Sequence, residues 1–338
     1  MIPASLSPSS RPPAALHIPA GPLDIALAAP PGSLRDVIAT SLALYDVAWT
    51  LGATKTVTLE CGIDDDPVGT PVEGRYLECA QMNVDPTPGG LRATTTHGAT
   101  LNGTFSDGAE HWHMVVPGHM VAERWWPEIE DLLSLVLTTG WRRAGWVPLH
   151  AAALTDGHRG AIVCAASGGG KTTFMMAMVR SGWRSLGDDK LLLRSESSQP
   201  VVAALKLMLN VDPAVQAWFP EVGDLRGLPE YSAWTPKRRV ALGSLWPNAT
   251  ELTMRPTTIV ALQRRPGEGT FRIEPMDAGE TIATLLRQTV IPRDPAEARR
   301  IAAELAACAR TALGVRVEVG DDAYADPGAI GRVAQALR

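Results

Sequence analysis

The segment AIVCAASGGGKTT, residues 161–173, is the most informative pattern in this chain of 338 residues. Its apolar beginning, residues 161–164, predicts a short buried strand, and residues 173–181 predict a helix. The three glycines between them allow consecutive backbone N–H groups to point toward one anion, and the start of a helix adds partial positive charge. A strand, a glycine-rich turn and a helix in this order predict a phosphate-binding loop.

The residues of this loop have separate predicted tasks in holding a nucleoside triphosphate. We expect Lys171 to reach the β- and γ-phosphates and the hydroxyl of Thr172 to bind Mg²⁺. Ala165 stands where such loops usually have their first glycine, so the segment matches a relaxed form of the pattern. Alone, the loop is compatible with a hydrolase, a kinase or a nucleotide sensor. The residues predicted to contact the nucleotide are Ala166, Ser167, Gly168, Gly169, Gly170, Lys171, Thr172 and Thr173.

Two acidic residues and a histidine flank the loop. Asp188 and Asp189 follow it after one helix and a return segment, and His150 precedes it on a predicted strand that should pair beside the loop strand. A kinase benefits from a carboxylate that accepts the proton of a hydroxyl group, and two carboxylates near a triphosphate imply a cation between them and the phosphates. The Asp pair can divide these tasks, one near the acceptor and one near the metal. A turn would also explain a double Asp, and a structural hydrogen bond a lone His.

The pattern along the chain indicates an α/β protein of two parts. Residues 1–21 are rich in Pro and Ser and predict an irregular arm. Residues 22–126 contain short β-type runs broken by Gly, Pro and Asp, which predict a strand-rich α+β domain. Apolar residues at helical spacing predict a linking helix over 127–145, and residues 146–338 form the predicted catalytic domain.

The composition excludes several classes of protein. The net charge is −5 and the basic residues are scattered, which argues against a nucleic-acid partner. No apolar run reaches the ~18 residues of a membrane span, and residues 1–21 lack the apolar core of a signal peptide. The four cysteines are Cys61, Cys79, Cys164 and Cys308, too far apart for a C-x-x-C pair, so we expect no zinc site or disulfide framework. These features predict a cytoplasmic protein and leave open whether it forms a homo-oligomer.

The chain resembles the HPr kinase family in three motifs that occur in the same order. These are Leu149-His150, the loop GGGKT at residues 168–172, and the segment GWRSLGDD at residues 182–189. Members of this family are bacterial serine kinases whose fold is related to phosphoenolpyruvate (PEP) carboxykinase rather than to eukaryotic protein kinases. The resemblance implies a P-loop catalytic domain of the HPr kinase/PEP carboxykinase type.

The resemblance also implies roles for individual residues. Lys171 would be the phosphate-binding lysine, and Thr172 would take the position of the magnesium-binding hydroxyl. Asp189 would accept the proton of the substrate serine, with Asp188 as a metal or water partner. His150 would be the active-site histidine.

Two downstream segments of the family have no clean counterpart in this chain. The family has a second magnesium-binding Glu in an E-x-R-G segment, for which Asp224-Leu225-Arg226-Gly227 is a loose match. Lys237-Arg238-Arg239 could supply the basic group of a second family segment, although charged surface loops explain both stretches equally well. These departures fall where the acceptor would be held.

The sequence therefore predicts transfer of the γ-phosphoryl group of ATP, with Mg²⁺, to a serine hydroxyl of a peptide or protein. The chain is similar to diverged HPr kinase-like proteins, some of which resemble kinases that modify ribosomally made peptides such as lasso precursors. Two alternatives stay open. One is a small-molecule phosphotransferase of PEP carboxykinase-like type, and the other is a nucleotide-binding interaction module without catalysis.

Overall fold

The chain is a mixed α/β protein with several sheets and two compact units, Met1–Gly140 and Trp141–Arg338. The division falls inside the segment 127–145, which the sequence predicts as a linking helix. None of the helices in the described ranges combines the length and the apolar character needed to cross a bilayer. The computed structural model describes residues 15–64, 82–232, 235–265 and 271–337.

The N-terminal unit is built on a seven-stranded sheet with the strand order β1-β2-β3-β7-β6-β5-β4. In it β3 runs parallel to both β2 and β7, and the other neighbours are antiparallel. The elements are β1 (Leu16–Ala20), β2 (Leu23–Ala28), α1 (Ser33–Ala43), β3 (Lys55–Asp64), β4 (Met82–Thr87), β5 (Gly90–Thr95), β6 (Thr100–Ser106), β7 (Ala109–Pro117), α2 (Gly118–Ala122) and α3 (Trp126–Arg143).

The first strand lies inside the stretch 1–21 that the sequence predicts as an irregular arm. Leu16–Ala20 pairs antiparallel with β2 across a tight turn, and alternate residues Ile18 and Ala20 are buried. A strand that is stabilised by its partner rather than by its own composition leaves little signal in a segment rich in Pro and Ser. Residues 1–14 of the predicted arm lie outside the described residues, as does Cys79.

In its described residues, the C-terminal unit has three sheets, of which the six-stranded one has the strand order β11-β9-β10-β18-β20-β19. A four-stranded sheet has the order β17-β13-β12-β8, and a three-stranded sheet the order β14-β16-β15. The helices and strands are β8 (Val147–Leu149), β9 (Ala152–Thr155), β10 (Gly160–Cys164), α4 (Lys171–Arg180), β11 (Arg184–Gly187), β12 (Leu191–Glu196), β13 (Gln199–Ala204), β14 (Met208–Val211), three 3₁₀ helices (Pro213–Ala217, Pro220–Val222, Leu225–Gly227), β15 (Glu230–Ser232), β16 (Thr235–Ala241), α5 (Leu242–Leu245), β17 (Thr253–Met254), β18 (Thr258–Arg265), β19 (Phe271–Pro275), α6 (Ala278–Leu286), α7 (Pro295–Thr311), β20 (Leu313–Gly320), α8 (Asp322–Ala325) and α9 (Pro327–Ala336).

Four strands of the six-stranded sheet end at the same edge. β10, β18 and β20 are neighbouring parallel strands. β11 runs in the same direction, because it and β10 are both antiparallel to β9. Carboxyl ends of parallel strands lie at the same edge, which is where open α/β sheets bind their ligands. The glycine loop after β10, the Asp pair after β11 and the segments that follow β18 and β20 therefore share this edge.

The strand and the helix on either side of the glycine loop are buried. Every residue of β10 is buried, which explains its continuous apolar run, since a strand covered on both faces has no polar side. The side chains of residues 174–179 in α4 are also buried. The loop is therefore anchored at both ends in the core of the unit.

The segment around His150 differs from the sequence prediction of one strand beside the loop strand. Residues 147–155 form two strands in different sheets: β8 pairs with β12, whereas β9 pairs with β10. His150 lies in the link between β8 and β9, and its backbone N–H donates to the carbonyl of Gln288 at 2.7 Å. This hydrogen bond belongs to neither sheet. His150 is therefore the point at which the chain passes from the sheet of β8 to the sheet of β9.

Gly187 ends β11 directly before the Asp pair, and its conformation requires glycine. Its φ is 124°, a backbone region that other residues rarely adopt. A β-carbon at this position would lie 2.5 Å from the carbonyl oxygen of Lys206. The close approach sets the backbone of Lys206 against the residue that precedes Asp188.

The substitution Gly187→Ala should destabilise the protein by about 3 kcal/mol, because it adds backbone strain and steric overlap. Thermal or urea unfolding measures this. Gly331→Ala in α9 is the matched control, since a β-carbon there meets nothing within 4 Å, and its stability should be equal or slightly higher. Equal stability of the Gly187→Ala variant and the wild type would contradict the prediction.

Candidate functional site

The glycine loop connects β10 to α4 through a tight turn with positive φ. Gly170, the residue before α4, has φ 88°. The N–H of Gly169 donates to the carbonyl of Ala166, and the N–H of Phe174 donates to the carbonyl of Gly170, both at 2.9 Å. The first turn of α4 thus begins at Lys171, and its backbone N–H groups face the loop.

Lys171 is largely buried and its side chain reaches back across the loop. Its ammonium group donates to the carbonyl oxygen of Ala165 at 3.2 Å. A lysine is rarely buried unless its charge is paired or hydrogen-bonded, because removing an ammonium group from water is costly. The position of Lys171 across the loop is suited to contact with an anion held there.

Thr172 is joined to the first acidic residue of the Asp pair. Its hydroxyl donates to Asp188 Oδ2 at 2.6 Å. Asp188 is 4% exposed, and among the described residues its other oxygen, Oδ1, has no hydrogen-bond partner. Burial raises the pKa of Asp188 above its ordinary value, and the negative charge of Asp189 raises it further. The hydrogen bond from Thr172 lowers this pKa, but by less. A buried carboxylate with one unsatisfied oxygen beside a hydroxyl is a donor set that a hard cation such as Mg²⁺ prefers.

Asp189 has a different environment from its neighbour. Its Oδ1 lies 2.9 Å from Nδ1 of His150, and both side chains are partly exposed. Burial alone would raise the pKa of Asp189. The hydrogen bond from His150 and the charges of nearby lysines outweigh burial and hold the pKa of Asp189 below its ordinary value. Asp189 is therefore a carboxylate ion at neutral pH, oriented by an imidazole.

Basic side chains lie near the Asp pair. Lys206 is 5% exposed and lies in the link between β13 and β14. Burial lowers the pKa of Lys206, whereas the charges of Asp189 and Asp188 act in the opposite direction. The charges of Lys190 and Lys237 also favour the ionised form of one or the other aspartate. The site thus combines two adjacent carboxylates with a group of positive charges.

The sequence analysis did not identify Lys206 or Lys190. Lys206 stands alone in the apolar run ALKLMLNV, residues 204–211, and a lone lysine in such a run is a signal that could have pointed to it. Lys190 directly follows the Asp pair but belongs to no motif. The relation of Lys206 to the site depends on contacts between segments distant in the sequence.

The two downstream segments that resemble family motifs loosely have separate positions. Asp224 and Arg226 pair with each other, and their side chains are 59% and 88% exposed. In the second segment, the charge of Lys237 lowers the pKa of Asp188. Arg238 instead forms an ion pair with Glu230 at 2.6 Å. Of these residues, Lys237 contributes charge to the Asp pair.

Four of the predicted site residues form two side-chain contacts beside the glycine loop. Thr172 joins Asp188, and His150 joins Asp189, while Lys171 spans the loop itself. Within the ranges that the structure describes, no group of three or more His, Cys, Asp or Glu side chains is arranged as a metal site. A metal held by Thr172 and Asp188 would need further ligands from a bound phosphate chain, which is the usual way in which Mg²⁺ binds at phosphoryl-transfer sites.

Comparisons with known proteins add little to this description. No protein-family model matches the sequence, and no curated protein matches it significantly. Among solved structures, the Hpr(Ser) kinase/phosphatase from Coxiella burnetii is similar over 56% of this chain and 96% of its own, with a TM-score of 0.31 and 10% sequence identity. Since the identity and the TM-score are both low, the case for a function rests on the residues of the site.

The hydrogen bond from Thr172 generates a prediction about stability. Thr172→Val should destabilise the protein by about 1–3 kcal/mol, because it leaves a buried carboxylate without its donor at similar side-chain volume. Thr172→Ser keeps the hydroxyl and should restore most of the loss. Unfolding by urea measures the difference, with Thr173→Val as the matched control at the next position of α4. A loss of the same size in both valine variants would contradict this account.

Proposed function

We propose that the chain is a magnesium- and ATP-dependent kinase that transfers the γ-phosphoryl group of ATP to a serine hydroxyl of a peptide or protein. The observation that carries this proposal is the pair of contacts that join adjacent carboxylates to the loop side chain Thr172 and to His150. A protein that only holds a nucleotide does not need an ionised, partly exposed carboxylate, such as Asp189, beside the loop. A phosphotransferase does need one.

The loop and two of its side chains account for nucleotide binding in this proposal. Backbone N–H groups of residues 166–173, apart from that of Gly169, which donates to Ala166, and the ammonium group of Lys171 bind the phosphates. Thr172 and Asp188 would hold Mg²⁺, which when bound offsets the negative charge of the phosphates. Asp188 Oδ1 is the atom that supports this assignment, since it is buried and unsatisfied by the described residues.

Asp189 acts on the acceptor. The serine oxygen forms a bond to the γ-phosphorus, the bond from that phosphorus to the β–γ bridging oxygen breaks, and ADP leaves with its electron pair. The hydroxyl proton passes to the carboxylate of Asp189, which His150 holds in place. A carboxylate with a low pKa is a weak base, but the loose transition state of phosphoryl transfer depends more on orientation and charge than on early proton removal.

Positive charge around the Asp pair supports the same reaction. Lys206, in the link between β13 and β14, and Lys237, in β16, place positive charge near the aspartates. Cations at this position would offset the charge that spreads over the transferred phosphoryl group. The choice of a serine acceptor rests on the three motifs shared with the HPr kinase family.

Asp189→Asn should reduce phosphoryl transfer by about 10²- to 10⁴-fold while leaving ATP affinity unchanged, because the amide cannot accept a proton. The assay uses labelled ATP, Mg²⁺ and a serine-bearing peptide encoded beside the gene. Asp294→Asn is the matched control, since Asp294 caps α7 at the surface and Asn caps equally well. Unchanged transfer by Asp189→Asn would remove Asp189 from this role.

Lys171→Ala should weaken ATP binding itself by about tenfold or more, because it removes a charge-assisted contact to phosphate. Isothermal titration calorimetry measures the dissociation constant. Wild-type affinity in this variant would contradict the loop assignment. In the transfer assay, label on a metabolite instead of the peptide would favour a small-molecule phosphotransferase, and tight binding without turnover would favour an interaction module.

A further inference from the structure

A second group of side chains meets the loop on the side away from the Asp pair. Trp218 follows the first 3₁₀ helix, Arg264 lies near the end of β18, and Tyr324 lies in α8; we call these three residues the Trp218 cluster. A β-carbon on Gly170 would lie 3.8 Å from both Arg264 Cδ and Tyr324 Oη. The Asp pair follows β11 on one side of β10, and the cluster lies at the ends of β18 and β20 on the other.

The Trp218 cluster is held together by direct contacts. The guanidinium carbon of Arg264 lies 5.4 Å from the ring centroid of Trp218, and the ring centroids of Trp218 and Tyr324 are 5.7 Å apart. Arg264 Nε also donates to Asp321 Oδ1 at 2.6 Å, which fixes the guanidinium group. The cluster is therefore positioned before any ligand binds.

The helix that follows the loop fixes the backbone of both aromatic residues. Arg180, in the last turn of α4, donates to the carbonyl of Trp218 at 2.7 Å and to the carbonyl of Tyr324 at 2.6 Å. One guanidinium group thus connects two segments that are far apart in the sequence. Because Arg180 belongs to the same helix as Lys171 and Thr172, the cluster has a constant relation to the loop.

The Trp218 cluster has binding capacity that its own contacts do not use. Tyr324 is 0% exposed, yet its hydroxyl has no hydrogen-bond partner in the part of the chain that the structure describes. Buried tyrosine hydroxyls nearly always have a partner. Trp218 and Arg264 are each partly exposed, and Arg264 lies beside Gly170 of the loop. An aromatic face, a cation and an unsatisfied hydroxyl are the groups that bind a nucleoside.

We infer that the Trp218 cluster binds the nucleoside end of the triphosphate, with the base stacked against Trp218 and Arg264. This inference rests on the proposed function. If Thr172 and Asp188 hold the metal, the terminal phosphates point toward β11, and the nucleoside leaves the loop on the side of β18. The acceptor must approach Asp189 on the first side, so it does not compete for the cluster. Aromatic rings and arginine stack on the face of any base, which suits this position.

The experiment compares the affinities for Mg-ATP and for magnesium tripolyphosphate, which has the phosphates but no nucleoside. Isothermal titration calorimetry is performed on wild type, Trp218→Ala and the control Trp246→Ala. Trp246 is another partly buried tryptophan that packs against the same core. We expect Trp218→Ala to lose about tenfold or more in affinity for Mg-ATP, the size of one stacking contact, and to keep its affinity for tripolyphosphate. Trp246→Ala should bind both ligands as the wild type does.

Further outcomes separate this inference from the proposed function. Equal losses for both ligands, or no loss of ATP affinity, in Trp218→Ala would overturn the nucleoside assignment while the phosphate site stands. A wild type that binds neither ligand would overturn both. If Trp218→Ala does not fold, Trp218→Leu carries the same expectation, because it keeps an apolar side chain against the core but lacks the ring. Trp218→Phe should recover most of the ATP affinity.

Discussion

The hydrogen bond from Thr172 to Asp188 connects the two parts of the candidate site, the first turn of α4 and the end of β11. It forms at the edge of one sheet where β10 and β11, parallel strands on either side of β9, both end. The bond places a carboxylate in the interior, where an ionised group is costly unless other groups compensate for it. The positive charges of Lys206 and Lys237 provide part of that compensation. The basic residues around the Asp pair thus stabilise the buried carboxylate. In the proposed function they would also offset the charge of the transferred phosphoryl group.

Two neighbouring carboxylates acquire different properties from this arrangement. Burial raises the pKa of Asp188, which contacts a hydroxyl. The hydrogen bond from His150 lowers the pKa of Asp189 despite its burial, and its side chain is partly exposed. When environment separates the pKa values of adjacent acids, each can serve a different task. In the proposed function, the more buried acid would hold a cation and the more exposed acid would accept the proton of the incoming hydroxyl.

Sequence reasoning was most successful where the signal is local. The apolar run before the loop, the three glycines and the helix after them occur in the structure as β10, a turn with positive φ at Gly170, and α4. It was less successful where pairing between distant segments decides the outcome. Leu16–Ala20 is a strand because β2 lies beside it, and residues 147–155 divide into two strands because β12 and β10 are in different sheets. His150 comes to Asp189 from a link between sheets rather than from a strand beside the loop.

The amino-acid sequence was sufficient to predict the strand, the glycine-rich turn and the helix, and to single out the acidic and histidine residues that the structure brings together beside the turn, because residue type and short spacing carry that information. The tertiary structure was needed to show that Lys206 lies near the Asp pair and that Arg264 and Tyr324, which contact Trp218, lie beside Gly170. These residues come from segments more than one element apart, and their proximity depends on strand order and on Arg180 joining two backbones. Local patterns do not encode such contacts, since they follow from the packing of the whole unit around a shared sheet edge.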